Sequence, residues 1–385
     1  VSSNAPPLIY VIAGEPSGDL LGGRMMAALS HLTDGQLRFA GIGGEQMRAQ
    51  GLDSLFPMSE LSIMGLVEVL PRALKLLRRI DQTVEAIIQA RPAAVVTIDS
   101  PGFTWRVARK LRQRKVDFPL IHYVAPQVWA WKPERAVETA HLFDRLMVLL
   151  PFEPPFFEKE GLATDYVGHP AIESVKGDGP AFRARHGIKE DATLLGVLPG
   201  SRQGEVTRLL PVFGKAVARL ARRYPDLQVV LPAVASQAAR IKSVVASWPL
   251  PVTLIEPGER YDAFAACDVA MAASGTVTLE LTLSGLPFVT AYKVNPITAA
   301  IIRRAIKVDY VTLSNVILGR PAIPELLQEC CTPETLEQAV ARLLSDPQAR
   351  RAQMTAFAEV RSALAHGDIP PSEQAARAVL RAIEG

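Results

Sequence analysis

Short apolar runs separated by longer amphipathic stretches, in a rhythm that stops and then restarts, limit the fold more than any other feature of this chain. Leu8–Ala13, Arg38–Ile42, Ala93–Ile98, Pro119–Val124 and Arg145–Leu149 have the length and composition of buried strands. Helical patterns lie between them near Leu20–His31, Val67–Gln89, Thr104–Arg114 and Pro133–Ala140. Such alternation predicts a parallel sheet covered by helices on both faces. Gly168-His169-Pro170 and the polar stretch Lys176–Pro180 interrupt it. The rhythm resumes with strands at Leu194–Leu198, Val229–Leu231, Val252–Ile255, Val269–Ala272 and Phe288–Ala291. Helices are expected over Glu205–Arg223, Gln237–Ala246 and Val277–Leu283, and the tail Pro333–Ile383 reads as mostly helical. With 385 residues the chain exceeds one comfortable core, so two doubly wound α/β domains are expected.

Composition narrows the function. A formal charge of +3 is too small to argue for nucleic acid. The cysteines are Cys267, Cys330 and Cys331, without a C-x-x-C pair, which argues against structural disulfides and a zinc site. No apolar run reaches the roughly 18 residues of a membrane span, and Val1–Pro7 has no leader-like pattern. A reducing cytoplasm fits.

In doubly wound sheets ligands bind beyond the carboxyl ends of the strands, so the loops there carry the chemistry. Gly14-Glu15-Pro16-Ser17-Gly18-Asp19 follows the first strand. It suits an anion or a sugar hydroxyl at a helix N-terminus, or is an ordinary turn with Asp19 in the first helical turn. Asp99 ends another strand and is either a general base or, with Ser100, the cap of a helix opened by Pro101. Tyr123–Lys132 carries Trp129 and Trp131, which stack on sugars, cover acyl chains or pack in a core. Gly200, Ser201 and Arg202 form the clearest diphosphate candidate, against a structural Arg–carboxylate pair. Ser274, Gly275 and Thr276 leave room for a nucleotide; Glu280 accepts ribose hydroxyls or is a surface residue. His169 reads as structural, and the scattered histidines make a metal site improbable.

The stretch 63–80 has two apolar stripes: Ile63, Val67, Leu70, Leu74, Leu77 and Leu66, Val69, Ala73, Leu76, Ile80. It is a helix buried on both sides, or a surface that meets acyl chains with Arg72, Lys75, Arg78 and Arg79 near lipid phosphates. Ile63, Leu66, Val69, Leu70 and Leu76 are the expected contacts.

Read in order, the runs A-G-E-P-S-G-D, I-M-G-L-V-E-V-L, I-H-Y-V-A-P-Q-V-W-A-W, L-P-F-E, V-G-H-P, L-P-G-S-R, A-S-G-T-V-T-L-E and D-Y-V-T-L-S-N resemble the lipid-A-disaccharide synthase family. The resemblance implies a GT-B architecture, with two Rossmann-like domains facing a cleft. Residues 1–170 would be the acceptor and lipid side, 171–330 the UDP-binding domain, and 331–385 helices packing across the domains or onto a second subunit. It implies transfer from UDP-2,3-diacylglucosamine to 2,3-diacylglucosamine 1-phosphate, giving a β-1,6-linked disaccharide phosphate and UDP with inversion. No cofactor or metal is implied. By position, Asp99 resembles the base and Glu15 orients the acceptor, with Ser17, Gly18 and Asp19 also on the substrate side. Ser201 and Arg202, with Gly200, would hold the diphosphate, while Ser274, Gly275, Thr276, Glu280 and Asn315 would line the nucleotide pocket. The resemblance also admits a homodimer that exchanges its C-terminal segment, with Asn315 acting in trans, and a peripheral place on the cytoplasmic face of the inner membrane. Gly102 departs from the family, where Asp is frequent, so Asp99 is the only carboxylate of its loop. Rival readings are a UDP-N-acetylglucosamine epimerase, a peptidoglycan glycosyltransferase, and a non-catalytic sugar-binding protein.

Overall fold

The structure, a computed structural model, describes residues 6–61, 69–295, 298–299, 308–365 and 367–384. The chain divides into two compact units: Val1–Pro170 with Ala365–Gly385, and Ala171–Leu364.

The first unit is built on seven parallel strands: β1 (Leu8–Ala13), β2 (Arg38–Ile42), β3 (Asp53–Ser54), β4 (Ala94–Ile98), β5 (Leu120–Tyr123), β6 (Arg145–Val148) and β7 (Ala163–Tyr166). Their order is β3-β2-β1-β4-β5-β6-β7. Side chains alternate across a strand, so β1 serves two cores. Tyr10 and Ile12 face Ile80, Val84 and Ile87 of helix Val69–Ala90 and Val107 and Leu111 of helix Pro101–Gln113. Ile9, Val11 and Ala13 face Met25, Met26 and Leu29 of helix Pro16–Leu32. Ala375, Ala376, Ala378 and Val379 of the last helix, Pro371–Glu384, join that second core.

The second unit repeats the plan with β8 (Leu194–Leu198), β9 (Gln228–Pro232), β10 (Val252–Ile255), β11 (Val269–Ala273), β12 (Phe288–Tyr292) and β13 (Glu325–Leu327). All pair in parallel, in the order β10-β9-β8-β11-β12-β13. Helices Gln203–Arg223 and Pro333–Ser345 cover one face through Leu209, Phe213, Val217, Leu336 and Val340. Leu281 and Phe357 cover the other, against Ala270, Ala272 and Phe288.

The expected strands and helices are present with small shifts at their ends. Helices begin earlier than their apolar periodicity does, at Pro16 and Pro101, because proline is pre-set for the first helical turn. The tail is three helices that each start at a proline: Pro333–Ser345, Pro347–Leu364 and Pro371–Glu384. The first two belong to the second unit and the third to the first. β3, β7 and β13 lie outside the apolar pattern. Each is a sheet edge with no fully buried residue, so burial leaves no mark on its sequence.

The two stripes on helix Val69–Ala90 part company. Ile80 is buried, and Leu76, an expected acyl contact, packs against the core. Leu74 and Leu77 point outward, 60% and 44% exposed. A helix buried on both sides is therefore excluded over this part. Ile63 and Leu66 lie outside the described residues, as do the side chains of Val69 and Leu70.

Candidate active site

Strand order reverses at one place in each sheet, and such a reversal is where ligands of doubly wound sheets bind, beyond the carboxyl ends. In the first unit that place lies between β1 and β4, where Ala13 pairs with Ile98. Gly14 and Asp99 follow directly. A Cβ on Gly14 would sit 2.6 Å from Ser100 Oγ, so this close approach requires glycine. Glu15 is exposed and extended at the start of helix Pro16–Leu32, and its side chain does not cap the helix. Ser17 is exposed beside it, and Gly18 is packed against Ala13 and Ile98. Asp19 turns away from this group. It is buried, and its carboxylate accepts from the backbone N–H groups of Gly44 (2.7 Å), Gln46 (3.0 Å) and Met47 (3.1 Å). The structure thus gives Asp19, expected on the substrate side, a supporting role for the backbone of residues 44–47.

Asp99 and Ser100 both adopt left-handed backbone, with φ of 47° and 49°, and Val124 after β5 does so with φ of 80°. For residues with a Cβ this costs about 1–3 kcal/mol each, most clearly for β-branched valine. The strain is held by neighbours. Asp99 N–H donates to the Tyr123 carbonyl at 2.9 Å, and the Thr104 hydroxyl donates to the Asp99 carbonyl at 2.7 Å. The helix cap is Ser100, and its side chain makes no cap hydrogen bond. The capping reading of this loop thus holds for the position of Ser100, without a side-chain cap bond. Burial pushes the Asp99 carboxyl above the usual aspartate range, opposed by the Ser100 N–H. Loss of solvation lowers two histidines, buried His122 to about 3 and half-buried His169 to about 4.

The tryptophans of the next loop divide. Trp131 is 46% exposed, with the Lys132 ammonium 4.4 Å over its ring. Trp129 meets Phe152 edge-on at 5.3 Å and donates its ring N–H to Glu153 Oε1 at 3.2 Å. The other Glu153 oxygen accepts from Leu149 N–H (3.1 Å) and Leu150 N–H (3.0 Å). Burial pushes this carboxyl up to about 7 against all three donors. Sequence reasoning gave Glu153 no role, although the L-P-F-E run contains it. A carboxylate inside an apolar segment was the available signal.

In the second unit the reversal falls between β8 and β11, where Leu198 pairs with Ala272. The loops that follow are 199–202 and 274–276, so the expected diphosphate and nucleotide residues leave the same end of two paired strands. Gly200 has φ of 99°, and a Cβ there would lie 2.4 Å from Glu205 Oε2. That oxygen accepts from Ser201 N–H and Arg202 N–H, both at 3.2 Å. The Arg202 guanidinium contacts Glu205 at 3.3 Å with 85% of its side chain exposed, a pairing worth about 0–1 kcal/mol. A phosphate can therefore draw it away at little cost. Gly275 and Thr276 are exposed at the start of helix Thr276–Ser284. Ser274 donates to the Val311 carbonyl at 3.2 Å.

Two other expected nucleotide contacts are engaged. Glu280 is gripped by Arg260 through two contacts of 3.2 Å and by the Tyr261 hydroxyl at 3.1 Å. Asn315 is fully buried and donates to the Ile323 carbonyl and to Glu325, both at 2.8 Å. It also accepts from Ala322 N–H (3.0 Å) and Ile323 N–H (2.9 Å). These four bonds saturate a primary amide. Asn315 thus ties helix Leu313–Leu318 to β13 and cannot also hold a nucleotide without breaking one of them.

A carboxyl that holds its proton more tightly in the folded than the unfolded chain penalises folding at pH above its folded pKa. The penalty fades as pH falls through that pKa toward the ordinary 3.8. Asp99→Asn should therefore raise the melting temperature at neutral pH, with a gain that shrinks in mild acid. A gain independent of pH would show that the Asp99 charge is not desolvated.

Three comparisons place the chain among known proteins. The family model for lipid-A-disaccharide synthetase matches residues 9–379. The lipid-A-disaccharide synthase of Rhodospirillum centenum is 55% identical, over 98% of this chain and 95% of the relative. That of Paramagnetospirillum magneticum is 53% identical, over 97% of each. Among solved structures, UDP-GlcNAc 2-epimerase from Neisseria meningitidis bound to UDP-GlcNAc superposes with a TM-score of 0.63, covering 97% of this chain and 98% of the epimerase. At 13% identity that likeness shows the shared two-domain Rossmann-like fold alone. The extent and identity of the sequence matches are decisive: this chain belongs to the lipid-A-disaccharide synthase family.

Proposed function

We propose that Asp99 is the general base of a hexosyl transfer whose UDP leaving group is held by Arg202. As a member of its family the chain is a glycosyltransferase that forms the lipid A disaccharide from a UDP-sugar donor and a sugar-phosphate acceptor. The single observation that carries the assignment of the base is the strained, desolvated carboxylate at the sheet reversal of the first unit. Strain of this kind concentrates at functional sites.

The donor is UDP-2,3-diacylglucosamine and the acceptor 2,3-diacylglucosamine 1-phosphate. The acceptor 6-hydroxyl gives its proton to Asp99 as its oxygen attacks the donor anomeric carbon. The bond from that carbon to the UDP oxygen breaks, and UDP leaves with the electron pair. Attack from the opposite face turns an α-linked donor into a β-linked product. A pKa raised by burial makes Asp99 a stronger base than a solvated aspartate. Exposed Glu15 orients the acceptor with the helix start at Ser17 and Gly18. Arg202, Ser201 and the Gly200 backbone stabilise charge on the departing diphosphate once Glu205 releases the Ser201 and Arg202 N–H groups. Gly275, Thr276 and Ser274 receive the nucleoside, and Glu280 turns toward the ribose only by loosening its grip on Arg260.

The lipid side is read from helix Val69–Ala90, where Leu74 and Leu77 stand exposed among Lys75 and Arg78. This fits peripheral association with an anionic membrane surface. No helix among the described residues is long and apolar enough to cross a membrane.

Asp99→Ala is expected to lower turnover by about 10²–10⁴-fold with UDP affinity unchanged; near-normal turnover would remove Asp99 from the role. Arg202→Ala should weaken UDP binding by about 1.5–3 kcal/mol, the range for a charge-assisted hydrogen bond, and an unaltered affinity by calorimetry contradicts the assignment. Leu74→Ser with Leu77→Ser should reduce recovery with anionic vesicles in a flotation assay without lowering the melting temperature. Equal recovery would retire the membrane contact.

A further inference from the structure

Glu153 is buried, with 3% of its surface exposed, in the loop that follows β6. Every hydrogen bond to its carboxylate shown among the described residues comes from an N–H donor. Two of those donors, Leu149 and Leu150, are local, and one oxygen satisfies both. The third is the Trp129 ring, 24 residues away in sequence. A loop that only needed its own N–H groups capped would not require a buried charge with an oxygen left for a distant indole. Burial of a carboxylate is costly unless it is well paired, so the long-range bond deserves a reason.

The reason lies in what Trp129 belongs to. Its segment leaves β5 through Val124, whose left-handed backbone is costly and must be held from outside. The residue before Val124 is Tyr123, and its carbonyl takes the N–H of Asp99. Beyond Trp129 the same segment presents exposed Trp131 with Lys132 over its ring, an apolar face and a cation close together. Such a pair suits the apolar part and the phosphate of a glycolipid. The strand residue that leads into the segment is thus bonded to Asp99, and the segment's middle is anchored on Glu153.

We propose that Glu153 is a positioning residue that, by holding the Trp129 indole, fixes the 124–132 segment so that the acceptor glycolipid is bound with its hydroxyl at Asp99. This rests on the assignment of the acceptor to the first unit. Glu153→Gln keeps the shape but leaves one acceptor oxygen where three N–H groups use two, and Trp129→Phe keeps the ring but loses the N–H.

Each variant should raise the KM for the acceptor at least tenfold, leave the KM for the UDP-sugar donor within twofold, and keep a cooperative thermal transition. The double variant should be no worse than the poorer single one, since both act through the same contact. Unchanged acceptor KM in Trp129→Phe, an equal rise for donor and acceptor, or additive losses in the double variant would each overturn the proposal. Asp99→Ala, assayed alongside, separates the two claims. If it keeps turnover, the site assignment itself fails. If it loses turnover while the acceptor KM of the Glu153 and Trp129 variants stays unchanged, only the positioning role falls.

Discussion

A parallel strand paired on both sides and covered on both faces has nowhere to place polar chemistry except at its ends. Both sheets of this chain obey that limit, and their candidate residues accumulate where strand order reverses. At β1 and β4 the chain must turn sharply out of the sheet beside another turn. It does so with a glycine at Gly14 and with left-handed backbone at Asp99 and Ser100. The Tyr123 carbonyl and the Thr104 hydroxyl hold those conformations in place. A carboxylate is thereby fixed and partly stripped of water before any substrate arrives, which is the preorganisation a general base needs.

The polar residues sort by burial. A buried polar group must be hydrogen-bonded, so it has usually been recruited to hold something. Asp19 carries the backbone of 44–47, Asn315 clamps β13 to the helix before it, and Glu153 anchors the tryptophan segment. The groups left for substrate are exposed or loosely held: Glu15, Ser201, Arg202, Gly275 and Thr276. Glu280 stands between these classes, half-buried and held by a guanidinium and a phenol. In the proposed mechanism the half-buried Asp99 carboxyl is the exception, its partial burial serving reactivity rather than support.

The same sorting separates the apolar side chains of helix Val69–Ala90. Leu76 and Ile80 complete the core under the sheet, and nothing in that core has room for Leu74 and Leu77 as well. A periodicity of three and four residues marks both stripes equally, so the pattern shows that two apolar faces exist without showing which is inside.

Burial on both faces writes itself into a strand as an unbroken apolar run, and one covered face writes itself into a helix as a stripe. These are local signals, and the central strands, most helices and the loops that hold Asp99 and Arg202 were legible from them. The short edge strands β3, β7 and β13 were not, because a strand paired on one side and half in solvent needs no apolar run. Nor could periodicity assign the last helix to the first unit, or show that Asp19 and Asn315 are engaged by the backbone while Arg202 is loosely held. Strand order, and with it the pairing of Gly14 with Asp99 and of Gly200 with Ser274 at the two reversals, was decided by tertiary structure alone. Local apolar rhythm says what must be buried; only contacts between distant segments determine what it is buried against and which hydrogen bonds are already filled.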